Sequence, residues 1–256
     1  MTALLTCESV YKTFLDVEKG QAVHALEAVS LEIHHQEFVT LVGPSGCGKT
    51  TLLNIFAGFE RVTSGKVLLE GRPISSPGAE RGVVFQDYAL FPWMTLRQNV
   101  EYGPRERGQP ARAVRAAADH YIRTVGLEGF EQRYPHELSG GMRQRVSLAR
   151  VLVNDPKILL MDEPFAALDA QTRSALQKEL SRLWRVTDKT ILFVTHSVEE
   201  AIILGDRVIV MSARPGRLKT EVKIGLSRPR DPTSPEFNHY RRDIESLVDA
   251  ELQSSD

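Results

Sequence analysis

The stretch Gly43-Pro44-Ser45-Gly46-Cys47-Gly48-Lys49-Thr50, followed by Thr51, decides the fold of this chain. Its pattern of Gly, four spacers, Gly, Lys and Thr lets a backbone wrap with its N–H groups aimed at phosphate oxygens. Lys49 adds positive charge near the outer phosphates, and the Thr50 hydroxyl is suited to magnesium. Glu37 to Val42 reads as a short buried strand before the loop. Lys49 to Gly58 reads as a helix after it, whose N-terminal dipole adds to anion binding. A chance glycine-rich turn would not explain both flanks, so the stretch predicts a nucleoside triphosphate site. Cys47 is a loop spacer in this reading, with no redox role.

Working outward, 256 residues are enough for one large α/β domain or a domain with a sizeable insertion. A formal net charge of −1 and no long block of like charge argue against a nucleic-acid partner. Two cysteines, Cys7 and Cys47, make no disulfide framework and suit a reducing compartment. The N-terminus lacks a basic and apolar leader pattern. Apolar runs such as Ile158 to Met161 fall far short of the roughly 20 residues of a membrane helix. If the protein works at a membrane, other subunits are expected to span it.

Leu4 to Ile33 reads as short strands interrupted by a polar stretch at Asp16 to Gln21, which makes a β-rich opening. Val83 to Phe85 reads as a buried strand delivering Gln86 at its end. Between about Asp87 and Asp155 strand signals vanish, and Arg112 to Val125 carries Val114, Tyr121, Ile122 and Val125 at helical spacing, the pattern of an inserted helical lobe. Ile158 to Met161 returns as a strand, Ala170 to Trp184 as a helix, and Ile191 to Thr195 as the next buried strand. Ser197 with Glu200 predicts a capping box for the helix after His196. Val208 to Met211 and Leu218 to Ile224 close as a hairpin around Arg214-Pro215-Gly216. The stretch from Ser227 reads as a Pro-containing linker into a last helix over Glu236 to Leu252.

The apolar run Ile158 to Met161 ends in Asp162 and Glu163. An acid at a strand end is suited to hold magnesium through water, and its neighbour to orient or deprotonate an attacking water. A pair of helix-capping acids before Pro164 is the competing reading. Leu138-Ser139-Gly140-Gly141-Met142, followed by Arg143, Gln144 and Arg145, offers a second anion site, a serine hydroxyl and unhindered glycine N–H groups at a helix start.

With the phosphate loop, Gln86, the acid pair and Ala167-Leu168-Asp169, this combination resembles the ATP-binding cassette (ABC) ATPases over residues 4–225. Met142 departs from the usual glutamine after the glycines. The resemblance implies a P-loop NTPase of the α/β class: a RecA-like core, an N-terminal antiparallel β-subdomain and a helical subdomain at about 87–155, together spanning 4–226, with 227–256 as C-terminal linker and helix. It implies ATP and Mg2+ as ligands. The phosphate loop from Gly43 to Thr51 would bind the nucleotide. Phe14 would stack on adenine in preference to Tyr11, although an aromatic on a strand also suits core packing. Thr50, Gln86 and Asp162 would serve the metal. Glu163, His196, Gln86 and Lys49 would carry catalysis, and Ser139, Gly140 and Gly141 would act in trans. The implied assembly is a homodimer of ATPase subunits on two transmembrane permease subunits, served indirectly by a substrate-binding protein and peripheral to the cytoplasmic membrane face. Asp87 to Met94, with Tyr88, Phe91 and Trp93 expected to be exposed, would meet the permease.

Finer features point within the family. Pro77 to Gln86, Phe91-Pro92-Trp93 and Ser212 to Arg217 resemble importers of taurine, alkanesulfonates and nitrate or bicarbonate, taurine first. An appended regulatory β-domain is not expected. A soluble ABC ATPase acting on DNA or ribosomes, a small-molecule kinase and a non-hydrolysing module are the rival classes. The kinase would leave Leu138 to Gly141 and His196 without a task.

Overall fold

The computed structural model describes residues 3–16 and 20–253; residues 17–19 of the polar Asp16 to Gln21 stretch lie outside them. In chain order the elements are β1 (Ala3–Asp16), β2 (Gln21–His34), β3 (Phe38–Val42), α1 (Lys49–Ala57), β4 (Ser64–Leu69), β5 (Arg72–Pro73), β6 (Arg81–Val84), α2 (Leu96–Glu106), α3 (Ala111–Thr124), α4 (Gly140–Leu152), β7 (Ile158–Asp162), α5 (Ala170–Thr187), β8 (Thr190–Val194), α6 (Val198–Leu204), β9 (Arg207–Met211), β10 (Leu218–Lys223) and α7 (Pro235–Gln253). They group into two compact units, residues 1–78 with 189–256, and residues 79–188.

The first unit holds an antiparallel sheet in the order β2-β1-β4-β5. Its opening differs from the expected short strands: β1 and β2 are 14 residues each. Register shifts, with Ser9 at φ 46° and Ala28 at φ 49°, break their pairing into shorter stretches. Such bulges explain why the sequence pattern looks interrupted although the strands continue. Beside this sheet, β3 is flanked by parallel β8 and β9, and β10 returns antiparallel to β9. All five residues of β3 are buried, as in a strand covered on both faces. Its one polar member, Thr40, keeps its hydroxyl satisfied 3.3 Å from the Ala201 carbonyl and 3.2 Å from that of Arg207.

The second unit pairs β6 and β7 in parallel and carries α2 to α5. Its core joins Leu96 and Val100 of α2, Ala118 and Ile122 of α3, Val146 and Ala149 of α4 and Leu183 of α5. Helix α2 has no counterpart in the sequence reading, because Gly103, Pro104 and six charged or amide side chains dilute its apolar face. Its start is nonetheless encoded: Thr95 and Gln98 form a reciprocal capping box. The buried Asn99 side chain accepts from the Phe91 N–H and donates to the Phe91, Met94 and Thr95 carbonyls, which pins the loop before α2.

Candidate functional site

In the first unit the phosphate loop is built by close packing. Gly48, at φ 101°, caps the N-terminus of α1, and a Cβ there would lie 2.8 Å from Leu26 Cδ2 and 2.9 Å from the Ala25 carbonyl of β2. Only glycine tolerates both the left-handed backbone and that approach. A Cβ on Gly43 would come within 2.9 Å of the Met211 carbonyl. Lys49 is 6 % exposed, and its ammonium donates to the Gly43 carbonyl at 2.8 Å and the Pro44 carbonyl at 2.9 Å, lying 3.7 Å from Cys47 Sγ. The cation is thus held inside the curve of the loop by neutral acceptors, free to exchange them for phosphate oxygens. Burial pushes the Cys47 thiol up, with the Lys49 charge opposing, so the spacer stays a neutral thiol.

The Ser212 to Arg217 turn, read from the sequence as a hairpin turn and a family marker, braces the loop from outside. The Gly216 N–H donates to the Ala25 carbonyl, and its carbonyl accepts from the Glu27 N–H. Ser212 Oγ accepts from the Arg217 N–H, and Arg214 Nε donates to the Gly46 carbonyl at 3.2 Å. A Cβ on Gly216 would sit 2.0 Å from the Cys47 carbonyl oxygen, a backbone atom of the phosphate loop. Gly216→Ala is expected to displace that loop and weaken nucleotide binding by tenfold or more, on the scale of about 1–3 kcal/mol for an overpacked site. Titration with a fluorescent nucleotide checks it, and unchanged affinity would refute the brace.

His196 follows β8, whose Val194 is paired with Leu41 of β3, so it leaves the sheet at the same end as Gly43. It is exposed, and Ser197 after it caps α6 by accepting from the Glu200 N–H at 3.3 Å. The expected capping box is only half formed. Buried Glu200 instead accepts the Thr195 hydroxyl proton at 2.6 Å, and Thr195 Oγ1 accepts from the Ser197 N–H at 3.0 Å. This pair ties both sides of His196 together. Phe14, 38 % exposed, lies opposite Val23 on β2, two residues from the Ala25 that touches Gly48. Lys12 Nζ sits 4.5 Å from the Phe14 ring centroid and is itself anchored by Glu60 at 2.8 Å. The ring is therefore a fixed, partly open aromatic surface rather than a core residue.

In the second unit Val84 pairs with Met161, which brings Gln86 and the Asp162-Glu163 pair to the same ends of adjacent parallel strands. No helix starts at Asp162 or Glu163, which removes the capping alternative. Glu163 has φ 43°, a strained left-handed backbone that sets its side chain off the strand line. Ser139 is the N-cap of α4, accepting from the Met142 N–H at 3.3 Å. A Cβ on Gly141 would approach Thr172 Cγ2 to 2.6 Å, so that glycine also permits α4 to pack on the start of α5. Asp169 caps α5 by accepting from the Thr172 N–H, a bond that holds its carboxyl below the usual range. Met142 is half-buried against the helical core.

The Asp87 to Met94 segment differs from the expected row of exposed aromatics. Trp93 is 69 % exposed, but Tyr88 and Phe91 are half-buried. Arg143 lies over the Tyr88 ring and Arg150 over Phe91, and Arg150 also donates to the Tyr88 and Ala89 carbonyls. These two arginines were missed. Their signal was their spacing of seven, two turns apart on one face of α4. Phe91, Tyr102, Ala89, Phe85 and Arg150 line a groove of about 430 Å3. Among the described residues no helix is long and apolar enough to cross a membrane, and no cluster of three His, Cys, Asp or Glu is arranged for a metal. A hard cation held by one carboxylate, a hydroxyl and phosphate oxygens does not need such a cluster, and Thr50 and Asp162 offer those donor types.

The sequence profile described as ABC transporter matches residues 26–166. The chain is 54% identical over 255 residues to an uncharacterised ABC transporter ATP-binding protein of Methanocaldococcus jannaschii, covering 100% of this chain and 95% of that one. It is 52% identical over 240 residues to a taurine import ATP-binding protein of Roseobacter denitrificans, covering 91% and 90%. A solved dimeric ABC transporter cassette superposes with a TM-score of 0.76 at 32% identity over 87% of this chain and 100% of that one. The same cassette as a dimer in a post-hydrolysis state, bound to ADP and phosphate, gives 0.75 at the same identity and coverage.

Proposed function

We propose, from the premise that this chain belongs to the ABC transporter family, that it is the ATP-hydrolysing subunit of an importer whose cargo is taurine. One observation carries the reading: a single chain holds a braced phosphate loop with a buried lysine, an acid on strained backbone past a buried strand, and a serine-capped glycine helix start. A kinase would have no use for the last of these, and a module that only binds would have none for Glu163 and His196.

In this reading Phe14 stacks on adenine, the loop of residues 43–51 binds the phosphates through backbone N–H groups, which Pro44 lacks, and Lys49 leaves its loop carbonyls for the outer phosphates. Thr50, Asp162 and Gln86 would hold Mg2+, which when bound neutralises phosphate charge. Glu163 takes the proton of the attacking water as the bond from the γ-phosphorus to the ADP oxygen breaks, and His196 holds that water and the γ-phosphate in line. Ser139, Gly140 and Gly141 of a second copy close over the same nucleotide, so two chains sandwich two ATP molecules on the cytoplasmic side of two permease subunits. The groove beside Phe91 and Trp93 receives the permease.

Taurine rests on the relatives, since no side chain of an ATPase touches cargo. The test is ATPase rate in proteoliposomes carrying a candidate permease, with the matching binding protein loaded in turn with taurine, an alkanesulfonate or nitrate. The expected result is stimulation by the permease, strongest with taurine. Equal rates with and without permease would reject the transport reading, and a stronger response to another anion would reject taurine.

A further inference from the structure

The C-terminal stretch from Ser227, which reads in the sequence as a linker, makes some of the densest polar contacts of the first unit. Arg230 is 9 % exposed, and its guanidinium donates to four carbonyl oxygens: Ile202, Gly205 at 2.5 Å, Leu226 at 3.1 Å and Ile224 at 3.4 Å. Burial pushes it down to about 10, still a cation at neutral pH. Arg228 donates to the Leu204 carbonyl and to Asp206, whose other oxygen accepts the N–H of Phe38, the first residue of β3. Two cations therefore sit on the carbonyl end of α6, where the helix dipole favours them.

Helix α7 then covers the outer face of α6. Phe237 and Ile244 are fully buried in one apolar cluster with Ala201, Ile202 and Val42, the residue that precedes the phosphate loop, and Tyr240, Leu247 and Val248 pack against that cluster. Arg241 pairs with Glu199 in the first turn of α6, three residues after His196, and with Glu245 on its own helix. An isolated helix of seven residues is not stable in water. The position of α6, and of the residue that leads into it, is consequently imposed from outside.

We propose that residues 227–253 are a clasp on α6, and that Arg230 and Arg241 are positioning residues for His196, acting on hydrolysis rather than on nucleotide binding. This rests on the reading of His196 given above. Arg230 fixes the far end of α6, Arg241 its near end, and the Thr195–Glu200 hydrogen bond passes that placement to the His196 turn. The clasp lies outside residues 26–166, the stretch that the ABC transporter profile matches.

The test uses the full chain with ATP. Arg241→Ala, a partly exposed site whose loss spares the core, is expected to lower kcat by about five- to a hundredfold, the range that small misplacement costs, while the ATP dissociation constant stays within twofold of the parent. Amide exchange across 197–204 should quicken, and Arg241→Lys should recover most of the rate. Arg230→Met should show the larger loss of the same kind. Unchanged kcat and exchange in Arg241→Ala would overturn the clasp, and so would an equal loss of binding and turnover that lysine does not repair. If His196→Ala keeps the parent rate, the reading of His196 fails instead, whatever the arginine variants do.

Discussion

Glu163→Gln is expected to bind ATP as the parent does, to dimerise on it and to stop there. The side chain keeps its shape and hydrogen-bonding oxygen but loses the basic site for the proton of the attacking water. A positioned general base contributes about 10²- to 10⁴-fold, and the loss should fall in kcat with binding intact. Two structural facts support the choice of this acid over its neighbour. Asp162 is still part of β7, whereas Glu163 has left the strand on a left-handed backbone that no capping role explains. Single-turnover hydrolysis together with sedimentation in ATP measures both halves of the expectation. A variant that hydrolyses at the parent rate would show that Glu163 is not the base.

Lys49→Ala should abolish measurable nucleotide binding. In the structure the ammonium holds the Gly43 and Pro44 carbonyls, and in the bound state it would hold phosphate oxygens instead. Two charge-assisted hydrogen bonds at about 1.5–3 kcal/mol each correspond to a loss of about 10²- to 10⁴-fold in affinity. Because the apolar residues of β3 and α1, among them Phe38, Leu41, Leu52 and Phe56, are fully buried and unchanged by the substitution, the fold should persist. Calorimetric titration with ATP reads the affinity and a melting scan reads the fold. Binding retained within a few-fold would mean that the loop's N–H groups alone carry the phosphates.

The phosphate loop, the strand before it and the helix after it were legible because each rests on local chemistry: spacing of glycines, an apolar run, a lysine at a helix start. The acid pair and Ser139 were legible for the same reason. What the sequence concealed depends on distant contacts. Gly216 looks like any turn glycine until the Cys47 carbonyl is found where its Cβ would be. Arg228 and Arg230, among prolines, look like a linker until the carbonyl end of α6 appears beneath them. Helix α2 carries too few apolar residues for its periodicity to stand out, although its capping box was readable at Thr95 and Gln98. Glu200 was readable as a capping partner, yet its carboxylate is taken by Thr195, a competition decided by burial rather than by spacing.

In the proposed mechanism one chain is half a catalytic unit, with Ser139, Gly140 and Gly141 supplied by a second copy. The specific ATPase rate against chain concentration, measured without permease from well below to well above the dimerisation range, tests it most directly. The expected rate per chain rises with concentration and levels off as dimers fill. A rate per chain that is constant down to strictly monomeric samples would contradict it.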